Sequence, residues 1–274
     1  MLKGRHLIEP GDLTVSEIDE IISLAEQMNV DPISFQDVCR GKILATLFFE
    51  PSTRTRLSFE AAMLHLGGTV EGFADASVTS GTKGETLADT IRVVSSYVDC
   101  IAMRNPKEGA ALLASKYSPV PIINAGDGAG QHPTQTLLDL YTIKKHFGKI
   151  DGLNIALLGD LKYGRTVHSL AYALGMYDVE MTFVSPDELK MPKETLHDLE
   201  KNNIKYKETN KLKDVIDDVD VLYVTRIQKE RFPDVEEYEQ IKGAYLINKE
   251  LLEGRDLIVM HPLPRIDEIA YDVD

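Results

Sequence analysis

Cysteine is scarce in this chain. Only Cys39 and Cys100 occur among its 274 residues, and they form neither a CxxC pair nor a metal-ligand spacing. We therefore expect two reduced thiols in a reducing compartment. A structural zinc site is not expected, because four suitable ligands do not cluster.

Long apolar runs are absent as well. No stretch is long enough to cross a bilayer, and the first residues, MLKGRHLIEPGD, lack the apolar core of a signal peptide. The sequence therefore predicts a soluble, cytoplasmic protein that has no membrane partner.

Positive charge is in deficit: 30 Lys and Arg residues stand against 44 Asp and Glu, a net charge of −14. A nucleic-acid binder needs a basic face that replaces counterions around phosphates, so nucleic acid is not an expected partner. Small anionic ligands remain possible, since a local group of arginines makes a positive pocket even in an acidic protein.

Nucleotide-binding loops are missing too. The Walker pattern G-x-x-x-x-G-K-[ST] does not occur, and the run from Gly126 to Gly130 fails the pattern G-x-G-x-x-G because position 131 is Gln. A nucleotide-binding regulator is therefore a weak interpretation.

The pattern that is present alternates strands with helices, which predicts parallel sheets covered on both faces. Strands are predicted at Ile43–Phe49, Val70–Phe73, Cys100–Met103, Val120–Asn124, Asn154–Leu158, Val179–Val184, Asp220–Thr225 and Leu257–Met260. Helices are predicted at 14–28, 53–66, Glu85–Tyr97, Lys107–Tyr117, Pro133–Phe147, 164–174 and 193–202. We expect an α/β fold of two doubly wound parallel-sheet domains, 1–147 and 148–274, joined by the long helix that ends at Phe147.

Three hydroxyls and two guanidiniums follow the first predicted strand, in Ser52-Thr53-Arg54-Thr55-Arg56. They lie at a helix N-terminus, where free N–H groups and the helix dipole favour an anion. Arginine adds a planar fork that matches phosphate oxygens. The alternative is an ordinary helix cap with exposed arginines.

This segment resembles the phosphate-binding signature of the carbamoyltransferase family, and further segments follow in the family's order over nearly the whole chain. They are Gly81-Thr82-Lys83-Gly84-Glu85-Thr86, Met103-Arg104, His132-Pro133-Thr134-Gln135, the segment from Gly159 to His168, the segment from Thr225 to Arg231, and His261-Pro262-Leu263-Pro264. Alone, a His at a helix start, as at position 132, is more often a cap or a satisfied core group.

The second half of the chain looks like the aspartate branch of this family. The ornithine branch has a cysteine in the last loop, where this chain has His261-Pro262-Leu263-Pro264. Aspartate presents two carboxylates, which Arg165 and Arg226 match as bidentate partners, whereas they would repel the distal ammonium of ornithine. Arg226 and Gln228 alternate, so both point the same way in an extended segment.

The resemblance implies transfer of the carbamoyl group from carbamoyl phosphate to L-aspartate, the committed step of de novo pyrimidine biosynthesis, by direct attack of the amine. It implies no metal, no organic cofactor and no covalent nucleophile. The implied catalytic residues are Arg54, Thr55, Lys83, Arg104 and His132. Carbamoyl phosphate would be bound by these five with Ser52, Thr53, Ser80, Gln135, Pro262, Leu263 and Pro264. Aspartate would be bound by Lys83, Arg165, Arg226, Gln228 and Leu263.

The loop 76–84 is small, polar and glycine-bearing. In the family its serine and lysine, here Ser80 and Lys83, reach the active site of the neighbouring chain, which implies a cyclic homotrimer with shared sites. Members also occur with a separate regulatory chain or within larger complexes, and the residues do not select among these. Family members continue beyond Asp274 with a helix that returns to the first domain, so that helix is expected to be absent.

Two prolines shape the last loop. They leave carbonyl acceptors without backbone donors, which suits an NH2 group. Leu263 precedes a proline and is therefore expected to be extended, and the family implies a cis bond between Leu263 and Pro264. The alternatives left open are a rigid turn without a ligand, an ornithine-type transferase and a non-catalytic scaffold homologue.

Overall fold

The chain folds as two units, each built on its own parallel sheet. The computed structural model describes residues 2–128, 130–227 and 245–274. Contacts divide the chain between Leu138 and Asp139, inside the long predicted helix, and the functional boundary at residue 147 stays a prediction. No helix within the described ranges is long and apolar enough to span a bilayer.

Unit 1, Met1–Leu138, contains a 4-stranded parallel sheet in the order β2-β1-β3-β4. The strands are β1 Ile43–Phe48, β2 Thr69–Phe73, β3 Cys100–Asn105 and β4 Ile122–Asp127. The α-helices are α1 Val15–Val30, α2 Thr53–His65, α3 Leu87–Val94 and α4 Ala110–Ser115.

Side chains of β1 enter two different hydrophobic clusters. Leu44 shares a cluster with Met63 of α2, whereas Ala45 and Leu47 share another with Ile91 of α3. Because successive residues of a strand face opposite sides of a sheet, helices cover both faces. The doubly wound arrangement is therefore confirmed in unit 1.

Unit 2, Asp139–Asp274, contains a 5-stranded parallel sheet in the order β7-β6-β5-β8-β9. The strands are β5 Asn154–Leu158, β6 Glu180–Val184, β7 Tyr206–Thr209, β8 Val221–Val224 and β9 Ile258–Met260. The α-helices are α5 Pro133–Phe147, which spans the division, α6 Arg165–Leu174, α7 Lys193–Lys201 and α8 Lys249–Leu252.

The strand β8 shows the same alternation. Leu222 and Val224 share a cluster with Ile247. Between them, Tyr223 points to the other face, where its hydroxyl donates to Asp139 of α5 at 2.9 Å. Burial, the nearby Asp139 carboxylate and this hydrogen bond together raise the pKa of Tyr223 well above its usual value, so the phenol stays a donor.

Several elements differ from the sequence prediction. The pattern does not predict β7 or α8, because β7 is a short edge strand with exposed Lys207 and Glu208, and α8 has only 4 residues. The predicted helix from Glu85 is shorter, because Thr86 caps α3 by accepting a hydrogen bond from the Asp89 N–H. Helix α4 likewise starts late, after Gly109 with φ 76°.

Strand order reverses beside the first strand of each sheet. In unit 1 the chain moves outward from β1 to β2 and then crosses to β3 on the other side. In unit 2 it moves outward from β5 through β6 to β7 and then crosses to β8. Ligands of open parallel sheets bind at such switch points, outside the carboxyl ends of the strands, so the ends of β1, β3, β5 and β8 are where sites are expected.

Replacing Gly159, just after β5, with alanine should lower the free energy of unfolding by at least about 2 kcal/mol more than replacing Gly148. Both glycines have positive φ, 113° and 72°. A Cβ on Gly159 would lie 2.4 Å from the Thr225 carbonyl oxygen, whereas Gly148 faces open space. Urea unfolding of both variants measures the difference. Equal losses would mean that the ends of β5 and β8 move apart easily.

Candidate active site

The N-terminus of α2 in unit 1 has features that favour an anion. Ser52 is its N-cap residue, but its side chain makes no capping hydrogen bond, and the first turn contains no acidic residue. Thr53 and Arg54 are exposed, and within the described residues Arg54 forms no ion pair. The N–H groups of the first turn and the exposed Arg54 therefore lie together at a helix end that favours negative charge.

Arg104 lies at the end of β3, beside the end of β1, with Phe48 as its pairing partner. Its Nε lies 2.7 Å from Glu50 Oε1, and one terminal nitrogen donates to the Ala125 carbonyl at 3.4 Å. The side chain is mostly buried, 13% exposed. These contacts hold the guanidinium in a defined direction at the switch point.

A polar network shapes the turn between β4 and α5. Buried Asn124 donates to the Ile8 carbonyl at 2.9 Å, to Asp127 Oδ1 at 3.1 Å and to the Gln131 carbonyl at 3.3 Å. Asp127 also accepts from the N–H of Gln131 at 2.8 Å and of Gly109 at 2.9 Å. This network fixes the chain immediately before His132.

His132 itself is 6% exposed. Its carbonyl accepts hydrogen bonds from the N–H groups of Gln135 and Thr136, at 3.1 and 3.2 Å. The imidazole Nδ1 lies 3.4 Å from the Thr134 hydroxyl. His132 and Gln135 therefore occupy the start of α5, which follows β4.

The structure does not bring Ser80 and Lys83 into this group. They form a single 3₁₀ turn, Ser80–Lys83, which ends at Gly84 in the left-handed region, and both side chains are exposed.

In unit 2, Arg165 is the first residue of α6, directly after the loop that follows β5. The loop is fixed at two points: Asp160 Oδ1 accepts from the Tyr163 N–H at 2.9 Å, and His168 Nε2 donates to the Leu161 carbonyl at 2.7 Å. Asp160 is fully buried. The start of α6 is therefore held in place beside the end of β5.

A cavity opens where β5 and β8 end. Gly159, Thr225 and Arg226 line it, together with Tyr245 and Glu268 from the last part of the chain. Arg226 is partly buried. Gln228, the other residue that the sequence proposes here, lies outside the described residues.

The last loop contains an unusual leucine. The bond between Leu263 and Pro264 is cis, which confirms the expectation. The expectation that Leu263 is extended is wrong, because its φ is +58°. The physical reason is local: the Leu263 N–H donates to His261 Nδ1 at 2.8 Å, which turns the backbone back on itself.

Comparisons with known proteins fit this geometry. Residues 5–145 match the model of the aspartate/ornithine carbamoyltransferase carbamoyl-P binding domain, and residues 151–274 match that of the Asp/Orn binding domain. The chain belongs to the aspartate/ornithine carbamoyltransferase family.

Several members of the family are close to this chain. The aspartate carbamoyltransferase catalytic subunit of Methanocaldococcus jannaschii is 60% identical, over 98% of this chain and 89% of its own length. A solved structure of the M. jannaschii catalytic subunit has a TM-score of 0.91 at 60% identity, with 98% of this chain and 89% of that chain covered. The Trypanosoma cruzi enzyme, solved with carbamoyl phosphate and aspartate, has a TM-score of 0.91 at 41% identity, with 99% and 89% covered.

Sequence reasoning missed the residues that hold this carbamoyltransferase site in place. Glu50, which directly follows the first predicted strand, is given no role, Asn124 is predicted only as strand, and Asp127 is not considered. The only available signal was that acidic and amide side chains sit at strand ends, where a buried strand gives way to a turn. Their partners could not be read from the sequence.

The buried imidazole of His168 should make the free energy of unfolding depend on pH. Burial lowers the pKa of His168, and the hydrogen bond to Leu161 only partly opposes this. The unfolded chain therefore binds this proton more readily, so stability is lost as pH falls below about 6.5. His168→Gln, which keeps a donor for Leu161, should reduce the slope of unfolding free energy against pH by up to about 1.4 kcal/mol per unit.

Urea unfolding between pH 7.5 and 5.5 measures this slope. The matched control is His197→Gln on α7, where the imidazole is exposed. An unchanged slope in His168→Gln would contradict the assignment.

Proposed function

We propose that this chain transfers the carbamoyl group of carbamoyl phosphate to the amine of L-aspartate and releases N-carbamoyl-L-aspartate and phosphate. The observation that carries the proposal is the cationic side chains at both switch points, Arg54 and Arg104 in unit 1 and Arg165 and Arg226 in unit 2. The aspartate carbamoyltransferase relatives described above support it. The reaction would serve pyrimidine synthesis in the cytoplasm.

Carbamoyl phosphate carries its negative charge on the phosphate group. The N-terminus of α2 suits such a group. Ser52, Thr53, Arg54 and Thr55 supply N–H groups, hydroxyls and a guanidinium, and Arg104 contacts both the phosphate and the carbonyl oxygen. The carbamoyl NH2 group is bound by Gln135 and by the carbonyl groups of the segment Pro262–Pro264. Ser80 and Lys83 complete the phosphate site.

L-Aspartate carries two carboxylates, and Arg165 and Arg226 offer one guanidinium fork for each. Gln228, Lys83 and Leu263 complete this set. Ornithine would place an ammonium group near the same arginines, which disfavours the ornithine-type reaction. The scaffold alternative is disfavoured because the matched cationic and hydroxyl positions are filled.

The chemistry is a direct acyl transfer. The neutral amine of aspartate attacks the carbonyl carbon, a C–N bond forms, and the C–O bond to phosphate breaks. The oxyanion of the tetrahedral intermediate is stabilised by Thr55, Arg104 and His132, and removing one such donor typically costs about 10²–10³ in rate. The departing phosphate takes the amine proton, so the mechanism calls on no metal, cofactor or covalent nucleophile.

Purified protein should form N-carbamoyl-L-aspartate from carbamoyl phosphate and L-aspartate, and no citrulline from L-ornithine. Arg54→Ala should lower kcat/KM by at least about 10²-fold, because the phosphate loses its fork at the helix N-terminus. Arg92→Ala is the matched control, since Arg92 is an exposed arginine on α3 that pairs with Asp89 at 3.0 Å. Product from ornithine, or equal losses in both variants, would contradict the proposal.

Exposed Lys83 is proposed to act in the site of a neighbouring chain of a homotrimer. Arg54→Ala and Lys83→Ala, each inactive alone, should then complement each other when co-assembled in equal amounts. Mixed rings are about three quarters of the trimers and have one intact site of three, so about a quarter of wild-type activity should return.

The control for this experiment is a mixture of Arg54→Ala and His132→Ala. Both residues are proposed to serve the same site from the same chain, so this mixture should stay inactive. Failure of the first mixture to regain activity, in confirmed trimers, would place Lys83 in the site of its own chain.

A further inference from the structure

The last loop places a large apolar residue in a backbone conformation that it ordinarily avoids. Leu263 has φ +58°, in the left-handed region that an L-residue other than glycine rarely adopts. Burial does not compensate, because the residue is half exposed, 50%. Strained residues of this kind persist only where surrounding contacts hold them, and they cluster at functional sites.

The contact that holds Leu263 comes from His261. The Leu263 N–H donates to His261 Nδ1 at 2.8 Å, so this ring nitrogen acts as the acceptor and carries no proton. The hydrogen of the ring therefore lies on Nε2. Acceptor and donor are two residues apart, which is the geometry of a side chain that closes a tight turn.

Glu268 lies beside the other ring nitrogen of His261, Nε2. Its Oε1 lies 2.8 Å from His261 Nε2, and both side chains are largely buried, 6% exposed for His261 and 11% for Glu268. Burial alone would raise the pKa of Glu268, but the contact with His261 and backbone N–H groups outweigh it, and the net pKa is lowered. A carboxylate beside Nε2 favours a hydrogen there and leaves Nδ1 free for Leu263.

Glu268 is in turn fixed to the core of unit 2. Its carbonyl accepts from the N–H of Ile247 at 2.9 Å, and Ile247 is fully buried. Its carboxylate also accepts from the N–H groups of Ile266, at 3.2 Å, and Asp267, at 3.1 Å. Contacts therefore run without a break from the core through Glu268 and His261 to Leu263.

This arrangement removes every backbone donor from the segment 262–264. Pro262 and Pro264 have no N–H, and His261 engages the N–H of Leu263. What remains is carbonyl oxygen, which only accepts. Such a segment suits an NH2 group and offers nothing to a methyl group of the same size.

We propose that His261, oriented by Glu268, is a positioning residue that makes the segment Pro262–Pro264 an acceptor-only surface, and thereby selects a carbamoyl over an acetyl group on the phosphate substrate. This inference rests on the proposed function. A merely structural role for His261 would affect both acyl phosphates alike, so the ratio of the two responses is the deciding measurement.

The test compares two amides at position 261. In His261→Asn, Oδ1 still reaches the Leu263 N–H, as Asn does in tight turns. In His261→Gln, the longer side chain reaches Glu268 but leaves the Leu263 N–H without an acceptor. The Leu263 N–H is then a backbone donor within the segment 262–264. His197→Gln, on the exposed face of α7, is the control.

The expected result is that His261→Gln lowers kcat/KM for carbamoyl phosphate by about 10- to 100-fold, since a misplacement of about 1 Å can cost that much. Inhibition by acetyl phosphate should be unchanged, and His261→Asn should stay near wild type in both. Glu268→Gln should give a smaller loss with the same selectivity. Amide hydrogen exchange at Leu263 should be faster in His261→Gln and unchanged in His261→Asn.

Three outcomes would overturn the inference: equal weakening of both acyl phosphates, an Asn variant as impaired as the Gln variant, or a Gln variant with wild-type selectivity. Thermal melts identify any variant that fails to fold, and Glu268→Gln then carries the comparison. If the wild-type protein does not carbamoylate aspartate, the proposed function fails instead. The exchange of the Leu263 amide still reports whether His261 holds the loop.

Discussion

Each unit depends on a parallel sheet whose strand order reverses beside its first strand. At that reversal the connections leave in opposite directions, so a gap opens at the carboxyl ends of β1 and β3 in one unit and of β5 and β8 in the other. The gap in unit 1 receives the N-terminus of α2 and Arg104. The gap in unit 2 is the cavity lined by Thr225 and Arg226. The hydrophobic cores of both units hold these strand ends in register.

Backbone conformation near the unit 2 site is as constrained as its side chains. Gly159 can follow β5 only because it lacks a Cβ, which would meet the Thr225 carbonyl at 2.4 Å. Leu263 tolerates positive φ only because His261 accepts its N–H. The position of Gly159 requires a residue without a side chain, whereas the conformation of Leu263 requires the side chain of a second residue, His261.

The sequence predicts this fold well where periodicity is strong. The bounds of α5 and β5 agree with the prediction, and the parallel sheets follow from the alternation of elements. Prediction from the sequence fails where a structure depends on a contact between distant parts of the chain, or on an unusual local contact. The short edge strand β7 has no apolar period, and the ion pair between Glu50 and Arg104 joins the turn after β1 to the end of β3. The preference of a residue before proline for extended backbone gives the wrong conformation for Leu263, because a side-chain acceptor two residues earlier overrides it.

Charge poses a further constraint, because a chain with net charge −14 must present cations to anionic ligands. Buried carboxylates near the site would ordinarily consume those cations. Asp127 instead is satisfied by the N–H groups of Gly109 and Gln131 and by the amide of Asn124, and within the described residues no basic side chain pairs with it. Asp160 similarly accepts from a backbone N–H. Backbone and amide donors thus satisfy the Asp127 carboxylate without a cation, and Arg54 stays exposed at the helix N-terminus. The acidic composition and an anion-binding site are compatible for this reason.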